Sequence, residues 1–253
     1  MNDKPVAVVT GAARGIGAAT ARKFLELGYA VAGLDVNDVA IPGVRFHRCD
    51  VADAKAVDAA AHAVKADLGP ASVLVTSAAL IPNTESIMDM DLGAHDRMWR
   101  VNYHGTVHAC RSFGRQMVDA RRGGAIVTLG SINSVLPLPL PAYNPGKAAI
   151  ARLTQLLANE LGRHRIRVNS VAPTYVMTPE LQARIDAGQR DLAKIMSVHA
   201  LDTLPTPADV AGAIAFLCSP AARTITGVLL PVDSGWLAGV SYMTYAGGVP
   251  WKA

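Results

Sequence analysis

Tyr143 and Lys147 are the two residues of this chain whose types and spacing best suit joint chemistry. Four positions apart, they lie on one face of a helix, within reach of a common ligand. A neighbouring ammonium lowers the pKa of a phenol toward the working range, so the pair predicts a tyrosine acid/base. Ser131 follows a strand just before this helix, and we expect its hydroxyl to face the same cleft.

A glycine-rich corner near the N-terminus is a second candidate site. Gly11, Gly15 and Gly17 stand where an apolar run gives way to a helical pattern. Backbone N–H groups and the positive end of the helix dipole favour a diphosphate at such a corner, and the missing Cβ atoms let it approach. Any tight turn between strand and helix also uses glycine, so the corner alone does not establish a ligand.

Asp35 ends the second predicted strand, 18 residues after Gly17. A carboxylate there accepts hydrogen bonds from both hydroxyls of an adenosine ribose and repels a 2′-phosphate, which predicts NAD rather than NADP. Two alternatives stay open. Asp35 is also explained as a solvated carboxylate in a turn, and Arg14 is a cation beside the turn that could serve a 2′-phosphate.

The elements that must position these residues alternate along the chain. Short apolar runs predict strands at 6–9, 29–34, 44–49, 72–76, 125–129, 166–171 and 227–232. Helical patterns lie between them, including 54–68, about 96–120, 143–162 and 207–218, with loop and helix at 173–198. Strands separated by helix-length segments need crossover connections, so we predict a single α/β domain with one parallel sheet and helices on both faces.

Residues 236–253 form a tail that is rich in glycine and aromatic residues and shows no clear periodicity. It is either a loosely packed terminus or a surface that docks on another subunit. We favour docking because its large side chains are costly to leave in water. They are Trp236, Tyr242, Met243, Tyr245 and Trp251.

Composition excludes several classes of protein. Hydrophobic residues make up 51% of the 253 residues and charged residues 17%, which supports a large core and excludes a disordered chain. A net charge of +4 is too weak to indicate nucleic acid, and no run of eighteen apolar residues predicts a membrane span. Three scattered cysteines and a start without a signal-peptide pattern predict a cytoplasmic protein.

His104 and His108 have the spacing of a zinc pair, but without a third ligand we predict no metal site.

Further motifs complete an ordered series. In chain order the series is Thr10-Gly11-Ala12-Ala13-Arg14-Gly15-Ile16-Gly17, Asp35, Asp50-Val51, Val101-Asn102, Gly130-Ser131, Tyr143 with Lys147, Arg167-Val168-Asn169-Ser170-Val171-Ala172-Pro173, and Thr226-Gly227 followed by Val232-Asp233-Ser234-Gly235. The sequence resembles a short-chain dehydrogenase/reductase of the single-domain, 250-residue kind, essentially from Val6 to Trp236. The resemblance implies a Rossmann-type, doubly wound parallel sheet.

The resemblance also implies a role for each of four catalytic residues. Tyr143 would exchange a proton with the substrate oxygen, and Ser131 would hydrogen-bond that oxygen and stabilise its charge. Lys147 would bind the nicotinamide ribose and lower the pKa of Tyr143. Asn102 would kink its helix and hold a water in the proton relay to Lys147.

The remaining implied contacts are with the cofactor. Asp50 and Val51 would contact the adenine, and Pro173, Val176 and Thr178 would flank the nicotinamide. The full set of implied cofactor residues is Gly11, Arg14, Gly15, Ile16, Gly17, Asp35, Asp50, Val51, Ser77, Tyr143, Lys147, Pro173, Val176 and Thr178. A homotetramer is implied as well, with the helices that begin near Asp96 and Tyr143 at one interface.

Three departures from the family pattern bear on the site. The segment 76–79 reads Thr-Ser-Ala-Ala where the family usually has Asn-Asn-Ala-Gly, which alters contacts along the adenosine ribose. Pro145 lies between Tyr143 and Lys147, so the helix must start at or just before Tyr143. Thr174 replaces a glycine after Pro173, which narrows the backbone freedom beside the nicotinamide.

The sequence therefore predicts an NAD-dependent oxidoreductase that interconverts a secondary alcohol and a ketone by hydride transfer. A polyol or sugar substrate is suggested by similar variants in some members of the family. Substrate recognition is expected in the loops 80–92, 132–142 and 175–204. The alternatives are a dinucleotide-binding sensor or scaffold without catalysis, and an NADP-dependent carbonyl reductase.

Overall fold

Parallel strands make up the single sheet in the part of the chain that the structure describes. The structure is a computed structural model and describes residues 4–81, 84–243 and 246–248. The strands are β1 (Val6–Thr10), β2 (Ala30–Asp35), β3 (Val44–Arg48), β4 (Val73–Thr76), β5 (Gly124–Leu129), β6 (Ile166–Pro173) and β7 (Leu229–Val232). Every neighbouring pair is parallel, in the order β3-β2-β1-β4-β5-β6-β7.

Helices lie in every connection between consecutive strands except the one from β2 to β3, and one more helix follows the last strand. They are α1 (Gly15–Glu26), α2 (Ala54–Leu68), α3 (Leu92–Trp99), α4 (Gly105–Ala120), α5 (Tyr143–Gly162), α6 (Pro179–Asp186), α7 (Leu192–Met196), α8 (Pro207–Cys218) and α9 (Trp236–Met243). A π-helical turn, Arg100–His104, joins α3 to α4. A short 3-10 turn, Ile132–Ser134, follows β5.

The two faces of the sheet each carry a layer of helices. On one face, α2 and α4 bury residues such as Val64 and Phe113 against the strands. On the other face, α1 and α8 do the same through residues such as Phe24 and Ile214. The predicted α/β fold, with a doubly wound parallel sheet of Rossmann type, is confirmed.

The strand order brings the predicted site residues to one edge of the sheet. β1 lies between β2 and β4, so the chain winds outward in opposite directions from this point. In such sheets a crevice opens at the carboxyl ends of the strands. The glycine corner after β1, Asp35 at the end of β2 and Ser131 after β5 all lie at this edge.

Two element predictions need correction. The helix expected from about residue 96 begins at Leu92, because the Asp91 side chain accepts hydrogen bonds from the backbone N–H groups of Gly93 and Ala94 and caps it. The tail, expected to lack periodicity, forms α9 from its first residue, and Trp236 is buried within its own chain. Docking through Tyr245 and Trp251, and through the side chains of Tyr242 and Met243, lies outside the described residues.

No helix in the described ranges is both long and apolar enough to cross a membrane. Within the same ranges, no three histidine, cysteine, aspartate or glutamate side chains are grouped so that they could hold a metal ion.

Candidate active site

A cleft of about 1110 Å³ opens at the carboxyl edge of the sheet. It runs from the ends of β1 and β2, past β4 and β5, to the first turn of α5 and the start of α6. All the predicted catalytic and cofactor residues line it except Gly17 and Asn102. The structure therefore brings nearly the whole predicted set into one cavity.

Close backbone packing shapes the glycine corner. Gly11 has a φ of +68°, and a Cβ on it would lie 2.7 Å from Ala78 Cα. Gly17 does not line the cleft, but a Cβ on it would lie 2.0 Å from Gly11 O. The corner can therefore form only with glycine at both positions, since a side chain at either would push α1 or β4 away.

The Asp35 carboxylate is tied to the same corner. Its Oδ2 accepts a hydrogen bond from Ala13 N at 3.0 Å, and its Oδ1 accepts one from Asn37 N at 2.9 Å. Asp35 also lines the cleft. It is thus a positioned acceptor in the cleft wall, not a freely solvated turn residue.

Arg14 points toward the other lip of the cleft. Its guanidinium Nη1 lies 3.2 Å from Glu180 Oε1 in the first turn of α6. The Arg14 side chain is 74% exposed, so the ion pair contributes at most about 1 kcal/mol. The pair connects the glycine corner to α6 and gives the cation a partner within the chain.

Helix α5 begins at Tyr143, as the position of Pro145 requires. Pro145 then lies in the first turn, where its missing N–H breaks no helical hydrogen bond. Lys147 follows one turn later and is 3% exposed. Its Nζ lies 5.3 Å from the centre of the Tyr143 ring. The predicted tyrosine and lysine therefore share one helix face beside the cleft.

Burial, rather than the neighbouring ammonium, dominates the chemistry of this pair. Burial raises the pKa of Tyr143 to about 12, and a hydrogen bond from Ser131 offsets part of the rise. Burial also lowers the pKa of Lys147 to about 8. Lys147 Nζ donates a hydrogen bond to Leu129 O at 2.6 Å.

Asn102 is buried within the π-helical turn, in agreement with the implied kink. Its Oδ1 accepts a hydrogen bond from Leu80 N at 2.7 Å, and its Nδ2 donates to Leu80 O at 3.0 Å. Leu80 lines the cleft. Asn102 therefore fixes the loop after β4 instead of facing the cavity itself.

Aromatic side chains from the expected substrate loop 175–204 and from α9 form a wall at the far end of the cleft. Tyr175 stacks on Trp236, with ring centres 5.8 Å apart and planes 8° from parallel. His199 packs edge-on against Trp236, and its Nε2 lies 2.9 Å from Thr174 Oγ1. The sequence analysis did not predict these contacts, which join segments far apart in the chain, and the Thr174 hydroxyl holds His199 in place.

The residues present fit a dinucleotide. Gly15 lines the cleft with a φ of +56°, and a Cβ on it would lie 3.9 Å from Thr178 Cγ2 across the cleft wall. Asp35 stands where a ribose would need an acceptor. Gly11, Gly15 and Asp35 would hold such a cofactor, with Val176 and Thr178 at its other end.

The chain resembles known proteins along nearly its whole length. A family model described as enoyl-(acyl carrier protein) reductase matches residues 11–237. Galactitol 2-dehydrogenase of Rhizobium johnstonii is 35% identical over 91% of this chain and 94% of its own. D-threitol dehydrogenase of Mycolicibacterium smegmatis is 34% identical over 92% and 93%.

A solved structure also resembles this chain along nearly its whole length. The crystal structure described as ribose-5-phosphate isomerase from Brucella melitensis 16M has a TM-score of 0.92 and 35% identity, and the match covers 98% of both chains. With the family model and the curated relatives, the assignment is plain. The chain belongs to the short-chain dehydrogenase/reductase family.

Proposed function

We propose that this protein is an NAD-dependent oxidoreductase that interconverts a secondary alcohol and a ketone, with Tyr143 as the acid/base. One observation carries the proposal. Tyr143, Ser131 and Lys147 line the same cleft as the glycine corner and Asp35. A group that exchanges a proton with a substrate oxygen thus lies in the cavity that suits a dinucleotide.

Each residue has a defined task in this reaction. A bound nicotinamide would accept hydride from the alcohol or deliver it to the ketone. In alcohol oxidation the Tyr143 phenolate would take the proton of the alcohol and become the hydroxyl, and in ketone reduction the hydroxyl would give that proton to the ketone oxygen. Ser131 would donate a hydrogen bond to the same oxygen, and the buried Lys147 would place a positive charge beside both. Because Tyr143 is neutral at pH 7, ketone reduction finds the proton in place, and alcohol oxidation speeds up as pH rises.

The preference for NAD is supported by two contacts. Asp35 presents an anchored carboxylate in the cleft, which would repel a 2′-phosphate. Arg14, the cation that could have balanced that phosphate, is paired with Glu180.

A polyol or sugar is the substrate class that we infer. The relatives named above act on galactitol and D-threitol by their names, which supports the inference. The cleft is lined by the polar Asn133 and by the apolar Leu138, Pro139 and Leu140. Asn144 Nδ2 holds that apolar wall by donating to Leu138 O at 2.7 Å.

We also infer a cytoplasmic homotetramer. Cys49, Cys110 and Cys218 are free thiols, as a reducing compartment allows. Sedimentation at micromolar concentration is expected to give four times the mass of the chain, and a monomer would contradict the assembly.

The first experiment is the initial rate of NADH formation from NAD with polyols, sugars, hydroxy acids and apolar secondary alcohols, each repeated with NADP. A polyol or sugar turned over with NAD is the expected result. A preference for NADP would instead favour the NADP-dependent carbonyl reductase. No turnover of any compound by a protein that still binds NADH would favour the non-catalytic sensor or scaffold. Conversion of ribose 5-phosphate without any NADH signal would overturn the dehydrogenase assignment.

A further inference from the structure

Ser131 Oγ accepts two hydrogen bonds from one neighbour. Asn133 donates to it from the backbone N–H at 3.2 Å and from the side-chain Nδ2 at 3.0 Å. A serine hydroxyl has two lone pairs and one proton. With both lone pairs facing N–H donors, the hydrogen bond that Ser131 can still make is one in which it donates.

Two acceptors lie near the proton of Ser131 inside the protein. Pro173 O is 3.5 Å from Ser131 Oγ, at the outer limit of hydrogen-bond length. The other is the Tyr143 oxygen, and this hydrogen bond from Ser131 counteracts the effect of burial on the tyrosine. Because Ser131 and Tyr143 line the same cleft, the remaining proton of Ser131 is available to a substrate oxygen that meets Tyr143.

We propose that Asn133 is a positioning residue that fixes Ser131 as a hydrogen-bond donor toward the substrate oxygen. This rests on the proposed function, which places that oxygen beside Tyr143. In ketone reduction the oxygen gains negative charge as hydride arrives, and a preset donor stabilises that charge without reorganising. Without Asn133, the serine hydroxyl is free to rotate and to accept instead of donating.

The orientation of the Asn133 amide is the critical point. In the present orientation Oδ1 is buried and has no hydrogen-bond partner among the described residues. Turning the amide by 180° would leave Nδ2 without a partner instead, and would place Oδ1 where it takes the proton of Ser131. The two orientations thus give Asn133 opposite effects on catalysis, and a substitution that offers only acceptors separates them.

Asn133→Asp is that substitution, because an ionised carboxylate has no proton to donate. It would take the proton of Ser131, and we expect turnover at neutral pH to fall about 100-fold, as for loss of one oxyanion donor. NADH affinity is expected to stay unchanged. As pH falls and the new carboxyl becomes protonated, it donates again, and ketone reduction is expected to recover. Tyr143 and Lys147 line the cleft together with Ser131, and both stay protonated in that range. The carboxylates that also line the cleft are present in the wild-type protein, so each rate is compared with the wild-type rate at the same pH; they are Asp35, Asp50, Asp96 and Glu180.

Asn133→Ala supplies a second, milder test. It leaves only the backbone donor on Ser131, so a drop in turnover of about tenfold is expected. Ser131 would then donate less consistently to Tyr143, so the pKa of Tyr143 would rise further. The pH profile of alcohol oxidation is therefore expected to shift to higher pH. A purely structural role for Asn133 would lower the rate without moving the profile.

The controls separate this proposal from the proposed function. Ala59→Asp adds the same charge at an exposed position of α2, outside the cleft and outside the helices of the implied subunit interface, and is expected to keep wild-type rates. Ser131→Ala sets the size of the full loss and, unlike Asn133→Asp, shows no recovery at low pH. Wild-type turnover in Asn133→Asp, or a loss that no pH restores, overturns the role of Asn133 alone. A wild-type protein that oxidises no alcohol overturns the proposed function and this role together.

Discussion

The two ends of the cleft are held by different kinds of contact. At the glycine corner the contacts are between backbone atoms: Gly11 N donates a hydrogen bond to Leu34 O at 2.8 Å, and Gly17 packs directly on Gly11. At the far end the contacts are between side chains, where the Trp236 ring packs against both Tyr175 and His199. Backbone packing tolerates few residue types, whereas side-chain contacts can change without altering the fold. The first end therefore suits a shared cofactor, and the second suits a substrate particular to this protein.

Tyr143→Phe is the change expected to separate the two ends most sharply. It keeps the ring in the cleft wall and removes the hydroxyl that exchanges the proton. Turnover is expected to fall about 1000-fold. NADH affinity, measured by fluorescence titration, is expected to stay within about twofold, because the contacts at the corner are unaffected. Turnover near the wild-type rate would refute the acid/base assignment.

Gly11→Ala tests the backbone end. The new Cβ would lie 2.7 Å from Ala78 Cα at a φ of +68°, so the corner must move. We expect the free energy of unfolding to fall by about 2 kcal/mol and NADH binding to weaken. Gly212→Ala is the matched control, since a Cβ there meets no atom within 4 Å and lies in α8. An unchanged NADH affinity in Gly11→Ala would show that the corner is not part of the cofactor site.

Lys147→Met tests the buried charge that lies between the two ends of the cleft. The pKa of Lys147 falls from 10.5 in the unfolded chain to about 8 in the fold, so the unfolded state binds more protons between these values. Wild-type stability is thus expected to rise with pH from about 8 to 10.5 relative to the variant, by on the order of 3 kcal/mol in total. Urea unfolding at several pH values measures the difference. Parallel pH curves would contradict the burial of a charged Lys147.

Asp35→Ala is expected to have the smallest effect and to sharpen the cofactor assignment. It removes the acceptor for Ala13 N and the negative charge that repels a 2′-phosphate. NAD affinity is expected to weaken about tenfold, and the preference for NAD over NADP is expected to relax. Asp38→Ala, at an exposed position three residues later, controls for the loss of one charge. An unchanged ratio of NAD to NADP affinity would contradict the role of Asp35.

Much of the fold was predictable because strands and helices here leave regular signals. The start of α5 at Tyr143 followed from one residue, since Pro145 is tolerated only in the first turn. The start of α3 was predictable in principle from Asp91, a good N-cap that the hydrophobic pattern alone did not reveal. Helix α9 left little trace because it has eight residues and no charged side chain, too short a segment to show a polar face at helical spacing.

The sequence by itself determined the sheet, the glycine corner and the residues that could exchange a proton, because periodicity, steric limits and residue type are local properties. Only the tertiary structure decided how deeply those residues are buried and which groups they contact. It placed Lys147 on Leu129 O, paired Arg14 with Glu180, and set Asn133 against Ser131. Burial and hydrogen-bond partners come from segments far apart in the chain, so they exist only once the chain has folded.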